Sequence, residues 1–384
     1  MPKINILMVL DNLTIGGAQK IVCDLATNLD KNIFHVKVCT LFSGRENSPE
    51  ILADYLIGHG IKVFQFNTES WRDFHTFATF KNIVKQENIH LIHAHMIPAD
   101  FWGCLLGKIS AKLPTIYTRH NTYYLNGFVS RFQNHVLNHG LANKIVAVSQ
   151  AVKENLLQVW KAPRFTVNII ENGVDLVKYT PNNSGEKVRK EFEITPDEIV
   201  IGNISRFEAR KGYDIFLKIA FEASKIMPEL KFLMIGHGPQ EAFLQAEIRR
   251  LGLDKVVLLS RPRMDMPEVL AAMDIFLFTP YWGEGLPCVV LEAMASGIPV
   301  VASNIGSNRE LIIQDETGYL PDPKNWRMQI SRLNPRAFVE KIILLATNAT
   351  LRKKMGEQAR RYVEQRFNLE TMIQKHQALY LDLV

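Results

Sequence analysis

Short apolar runs alternate with helical periods along most of this chain, and the alternation runs twice. The first series reads as strands over 4–10, 36–42, 62–66, 91–95, 115–118, 144–149 and 166–170. Helices fall between them over 18–29, 51–58, 76–86, 99–111, 128–139 and 150–160. The segment 171–185 is rich in Asn, Pro and Gly and reads as a linker. Strands then return over 199–204, 231–235, 256–259 and 275–279, with helices over 213–225, 240–251 and 266–273. Strands without polar alternation are buried on both faces, which predicts parallel sheets covered by helices. The expectation is α/β: two doubly wound, Rossmann-like domains, 1–178 and 179–367. A last helix over 369–383 follows a break at Phe367-Asn368.

Ligands of doubly wound sheets bind at the carboxyl ends of the strands, so the loops there carry the functional expectations. The most informative runs from Gly283 to Val301 and reads as loop, helix, turn and strand. Pro287 suits the first helical position and Gly297 the helix stop. A helix N-terminus preceded by glycines favours an anion, yet Glu284 stands in that loop and Glu292 in the helix. Those acids fit contacts to uncharged hydroxyls beside an anion; the alternative is a cap and a solvated face.

Arg206 and Lys211 stand in the loop that ends the first strand of the second series, where they could clamp a diphosphate or form a solvated charged loop. Arg210, between them, reads as the more solvated cation. Gly16-Gly17 follows the first strand and permits close approach of a phosphate or sugar, or is a plain tight turn. Gly236-His237-Gly238-Pro239 is another such turn. No G-x-G-x-x-G and no P-loop lysine pattern is present. His120 follows the fifth strand, where it can reach a substrate hydroxyl or be a satisfied loop histidine. His93 and His95 share a face but lack a third metal ligand at any regular spacing.

Charge is uneven. Residues 1–178 carry 18 Lys and Arg against 13 Asp and Glu, a net of +5; the rest carry 27 against 26, a net of +1. No basic cluster with interleaved aromatics appears, which argues against nucleic acid. Lys108, Lys112, Arg119, Arg131 and Lys144 surround two helices, which predicts peripheral contact with an anionic membrane. No apolar run approaches ~18 residues, and the first ten read as a strand rather than a signal peptide. Cys23, Cys39, Cys104 and Cys288 stand singly in apolar contexts and read as buried free thiols, placing the chain in the cytoplasm.

Together these residues resemble retaining glycosyltransferases of family 4, of the GT-B fold, whose two Rossmann-like domains face across a deep cleft. The resemblance rests on Glu284-x7-Glu292 with Ala293-Met294-Ala295-Ser296-Gly297 after it, Gly16-Gly17-Ala18, Ser205-Arg206 to Lys211-Gly212, Asn172-Gly173-Val174-Asp175 and Gly236-His237-Gly238-Pro239. Glu310 and Thr317-Gly318 also fall where the family has them. Gln19, Ser307 and Ser260 depart from it, and none removes a group the chemistry needs.

The resemblance implies an N-terminal acceptor domain, onto which a helix at about 368–384 packs, and a C-terminal donor domain. The reaction implied is transfer of a hexose from a nucleotide sugar, a UDP-sugar ahead of a GDP-sugar, to an acceptor hydroxyl without a metal. Catalytic roles fall to Glu284, Arg206, Lys211 and His120. Donor contacts fall to Gly16, Gly17, Arg206, Lys211, Gly236, Arg261, Pro262, Arg263, Glu284, Gly285, Leu286, Pro287 and Glu292. The implied acceptor is lipid-linked or a polysaccharide, chosen by loops 66–74 and 121–129. An epimerase, a phosphorylase or a non-catalytic nucleotide-sugar-binding subunit would share the architecture.

Overall fold

The structure, a computed structural model, describes residues 3–42, 50–68, 74–122, 127–321 and 333–384. The chain divides into two compact units. One is Met1–Asn172 with Glu370–Val384; the other is Gly173–Leu369.

Seven parallel strands build the first unit: β1 (Ile4–Leu10), β2 (Phe34–Phe42), β3 (Lys62–Thr68), β4 (Leu91–His95), β5 (Thr115–Arg119), β6 (Lys144–Ala147) and β7 (Val167–Ile169). Their order is β3-β2-β1-β4-β5-β6-β7, so the sheet reverses direction of growth between β1 and β4. Ile6, Leu7, Met8, Val9 and Leu10 have no exposed surface, as a strand covered on both faces requires. The helix Phe128–Val136 ends earlier than the sequence suggests and passes into a wider turn, Leu137–Leu141. That turn carries Asn138 inside, where it accepts from Tyr117 Oη (2.5 Å) and donates to the Trp160 carbonyl (3.1 Å). The last helix, Leu369–Leu381, anchors this unit through Tyr380, which is fully buried edge-on to Phe34.

Six parallel strands build the second unit: β8 (Ile199–Ile204), β9 (Leu230–Ile235), β10 (Val257–Ser260), β11 (Ile275–Phe278), β12 (Val300–Ala302) and β13 (Gly318–Tyr319). The order β10-β9-β8-β11-β12-β13 places the reversal between β8 and β11. Asn203, buried in β8, donates to the Leu277 carbonyl of β11 (2.6 Å). Phe207, Tyr213, Phe216 and Phe232 fill the core on one face of this sheet. Gly212 decides how the two neighbouring loops meet. Its φ is +69°, and a Cβ there would lie 1.9 Å from the Thr279 carbonyl oxygen, so only glycine fits.

Two local expectations change. Pro287 is the cap preceding the helix Cys288–Ala295 rather than its first residue, because its ψ of 113° is extended. Gly297 does follow the helix with φ +75°, as a left-handed stop. The polar segment after Asn172 is not a free linker. Val174 forms a bridge with Asn368, and Tyr179 is buried. Arg360 donates to the carbonyls of Tyr179, Ala295 and Leu176, which satisfies backbone acceptors that the irregular segment cannot pair itself.

Candidate active site

The reversal between β8 and β11 opens a crevice at the carboxyl ends of those strands, where such sheets take ligands. Two loops supply it: 205–212 after β8 and 279–287 after β11. Phe207 is buried edge-on to Tyr213 (5.0 Å between ring centres), and this fixes the first loop. Arg206, Glu208 and Arg210 alternate around that anchor. The backbone N–H of Tyr281 donates to the Arg210 carbonyl (2.8 Å), joining the loops.

Glu284 is the centre of this arrangement and is 7% exposed. Lys211 Nζ donates to its Oε1 (2.7 Å), and Arg210 Nη1 donates to the same oxygen (3.0 Å). Oε2 has no partner among the described residues. Arg210 Nε donates to Glu208 Oε2 (2.7 Å), and Arg206 Nε lies 3.3 Å from Glu208 Oε1. Among the described residues, three cations and two carboxylates thus meet in this patch. A nearly buried carboxylate is tolerable only with such partners. Lys211 also stands 5.5 Å from the centre of the Phe278 ring.

Arg210 is thus no solvated bystander: it binds Glu284 directly. The sequence does carry a signal for it, the two-residue spacing of Arg206, Glu208 and Arg210 about a buried aromatic. Glu292 is buried on its helix rather than lying on a solvated face, and Gly285, Leu286 and Pro287 are buried as well. Ser307 and Asn308 follow β12, fully buried, with Ser307 Oγ and Asn308 Oδ1 unpaired.

Gly236 makes room for this unit's own loop: a Cβ there would meet the Ser205 carbonyl oxygen at 2.1 Å. Arg261 and Pro262 are exposed. Arg263 is engaged instead, donating to both oxygens of Asp265 (2.8 and 2.7 Å) and to Glu191 (2.5 Å). These hydrogen bonds raise the Arg263 pKa and hold Asp265 and Glu191 below the usual carboxylate range. A cavity of about 300 Å³, lined by Asp274, Ser296, Gly297 and Arg352, lies at the opposite, amino end of the same sheet.

In the first unit, Gly16 caps the helix Gly17–Asn28 with an extended backbone (φ −171°). His120 follows β5 and is half-buried, with Nε2 3.1 Å from His95 Nδ1. His93 bridges Tyr380 Oη (2.6 Å) and Thr118 Oγ1 (2.7 Å), and its ring lies 4.0 Å from that of His95. Burial pushes His120 down to about 3 and His376 to about 4, and holds His93 and His95 well below the ordinary imidazole value. All four rings are therefore neutral near pH 7. The four cysteines are free and buried, and burial pushes the Cys23 thiol up to about 12. Arg119 is buried against Asp100 (3.3 Å) and Asn134 (2.8 Å), so it leaves the expected basic surface. Loops 66–74 and 121–129 fall partly outside the described residues. Among the described residues no cluster of His, Cys, Asp and Glu is placed to hold a metal ion, and no helix is long and apolar enough to cross a membrane.

Two parallel α/β units of this topology are the GT-B fold, and solved structures share it. Anabaena Alr3699/HepE in complex with UDP-glucose superposes with a TM-score of 0.84 at 24% identity, covering 99% of this chain and 100% of that one. WaaG, a glycosyltransferase involved in lipopolysaccharide biosynthesis, gives 0.74 at 18% identity over 97% and 98%. The Glycosyltransferase Family 4 model matches residues 15–178, and the Glycosyl transferases group 1 model matches 184–362. The chain belongs to glycosyltransferase family 4. It is 23% identical over 88% of both chains to the Escherichia coli UDP-Gal:alpha-D-GlcNAc-diphosphoundecaprenol alpha-1,3-galactosyltransferase. It is also 24% identical to the Bacillus anthracis N-acetyl-alpha-D-glucosaminyl L-malate synthase, over 85% of this chain and 84% of that one.

Proposed function

We propose that this glycosyltransferase transfers a hexose-type sugar from a UDP-sugar to a hydroxyl of a lipid-linked or polysaccharide acceptor, with retention at the anomeric carbon. The observation that carries the reading is the gathering of Lys211, Arg210 and Arg206 about a nearly buried carboxylate at the β8–β11 crevice. A diphosphate is an anion of the right charge for Lys211 and Arg206. Glu284 Oε2, which has no partner among the described residues, accepts from hydroxyls of the donor sugar. Glu292 accepts from the ribose, the N–H groups of Gly285 and Leu286 lie at the β-phosphate, and Arg261 and Pro262 flank the base. Roles for Gly16, Gly17 and His120 at the donor rest on the family resemblance. The UDP-glucose complex of HepE and the UDP-Gal in the name of the Escherichia coli relative favour uridine.

In the same-face mechanism, the bond from C1 to the phosphate oxygen breaks while the acceptor oxygen bonds to C1 on that face. The acceptor proton passes to the departing phosphate oxygen. Negative charge grows on the diphosphate, so the protein's main contribution is cationic stabilisation there. Lys211 and Arg206 supply it without a metal ion, and turnover undiminished by EDTA is the expected outcome. Glu284 and Glu292 act as hydrogen-bond acceptors, not as an acid–base pair.

The test is a thermal-shift panel of nucleotides and nucleotide sugars, followed by NMR of the product formed from the best donor. A bound ligand raises apparent stability. Stabilisation by UDP-sugars and an unchanged anomeric configuration support the reading; an inverted product or no response to any nucleotide overturns it.

A further inference from the structure

We propose that Arg210 is the positioning residue of Glu284: it keeps that carboxylate oriented once a donor diphosphate draws Lys211 away. The proposal rests on the reading of Glu284 as acceptor for the donor sugar. Lys211 and Arg210 both donate to Oε1 of Glu284. Lysine is a single mobile point charge, and a phosphate oxygen competes for it directly. Arginine is a planar fork whose donors have fixed directions. Arg210 spends Nη1 on Glu284 and Nε on Glu208 (3.0 and 2.7 Å), so it spaces two carboxylates rigidly.

The backbone repeats this link. Tyr281 N–H donates to the Arg210 carbonyl, and Tyr281 Oη donates to Asp214 Oδ2 (2.6 Å) on the helix Tyr213–Ile226. Arg210 therefore ties the Glu284 loop to the β8 loop through both main chain and side chain. With Lys211 on the diphosphate, Glu284 would otherwise stand nearly buried and without a cation, an unfavourable state. Arg210 supplies that cation, and its grip on Oε1 leaves Oε2 as the oxygen offered to ligand.

The experiment measures kcat, donor KM and UDP affinity for wild type, Arg210→Ala, Arg210→Lys and Lys211→Ala. For Arg210→Ala the expected result is a fall in kcat of about tenfold or more, with UDP affinity held within about threefold. Ethylguanidine added to Arg210→Ala should restore part of kcat and leave Lys211→Ala unchanged. A parallel loss of UDP affinity and kcat overturns the proposal, because it makes Arg210 a phosphate ligand. An unchanged kcat in folded Arg210→Ala also overturns it. If that variant does not fold, Arg210→Lys carries the test: it keeps the charge and loses the fork, and unchanged kcat there contradicts the proposal. Turnover undiminished in Lys211→Ala removes the donor reading itself. Turnover lost in Lys211→Ala but kept in Arg210→Ala removes the positioning role alone.

Discussion

The ammonium of Lys211 lies 2.7 Å from Oε1 of Glu284, between side chains only 11% and 8% exposed and 73 residues apart in sequence. Removing one partner of a buried pair leaves the other uncompensated, which costs about 3–5 kcal/mol in the full case. Arg210 remains on the same oxygen, so Lys211→Ala is expected to cost less, about 1–2 kcal/mol. Urea unfolding of Lys211→Ala, Glu284→Gln and the double variant checks this. The double variant should recover part of the loss; strictly additive losses would mean that the two side chains are not coupled.

The histidine cluster predicts acid instability. The ordinary imidazole value is about 6.5, and His376 and His120 are pushed to about 4 and about 3 by burial. Between those values the unfolded chain binds protons that the folded chain refuses, so stability is full above about pH 6.5 and falls as pH drops towards 4. Each such histidine contributes a slope of up to about 1.4 kcal/mol per pH unit in that window. Unfolding midpoints measured from pH 7.5 to 4.5 should decline accordingly, and His376→Gln should flatten the decline. A flat profile in the wild type would contradict the burial of these rings.

Arg261 and Arg263 are expected to separate. Arg263 is held by Asp265 and Glu191, so Arg263→Ala should lower stability by about 1 kcal/mol, as partly exposed pairs do, and leave donor affinity unchanged. Arg261 is exposed and, among the described residues, without such ties, and Arg261→Ala should weaken UDP-sugar binding. Calorimetric titration and thermal melts distinguish the two; the reverse pattern would place Arg263 at the base.

The helix Phe128–Val136 leaves Phe128, Val129 and Phe132 in solvent, Phe128 at 85% exposure, beside the exposed Arg131. Apolar side chains with a cation among them suit the interface of an anionic bilayer. We expect flotation with anionic liposomes, weakened by salt and by Phe132→Glu. Equal flotation with neutral and anionic vesicles would contradict the electrostatic share of this contact.

Much of the fold was legible because parallel strands read as uninterrupted apolar runs, as Ile6–Leu10 and Val200–Ile201 do. Their ends were less legible, since a terminal residue depends on ladder partners rather than on its own side chain. In the candidate site, the sequence singled out Glu284 and Lys211 but assigned them to separate parts of a ligand. That they pair with each other follows from β8 and β11 being neighbours, a fact of strand order with no local signal. Arg210 was misjudged for the same reason: its partner lies 74 residues away. Arg263 was read as a donor contact because its partner Glu191 belongs to a distant short helix, Glu186–Glu191, with no local signal.

The most direct measurement is calorimetric titration of UDP into the wild type and into folded Lys211→Ala. Lys211 should supply transition-state and ground-state charge alike to the diphosphate, so we expect UDP to bind the wild type and affinity to fall by about tenfold or more in the variant. Equal affinity in the two proteins would contradict the placement of the diphosphate beside Glu284.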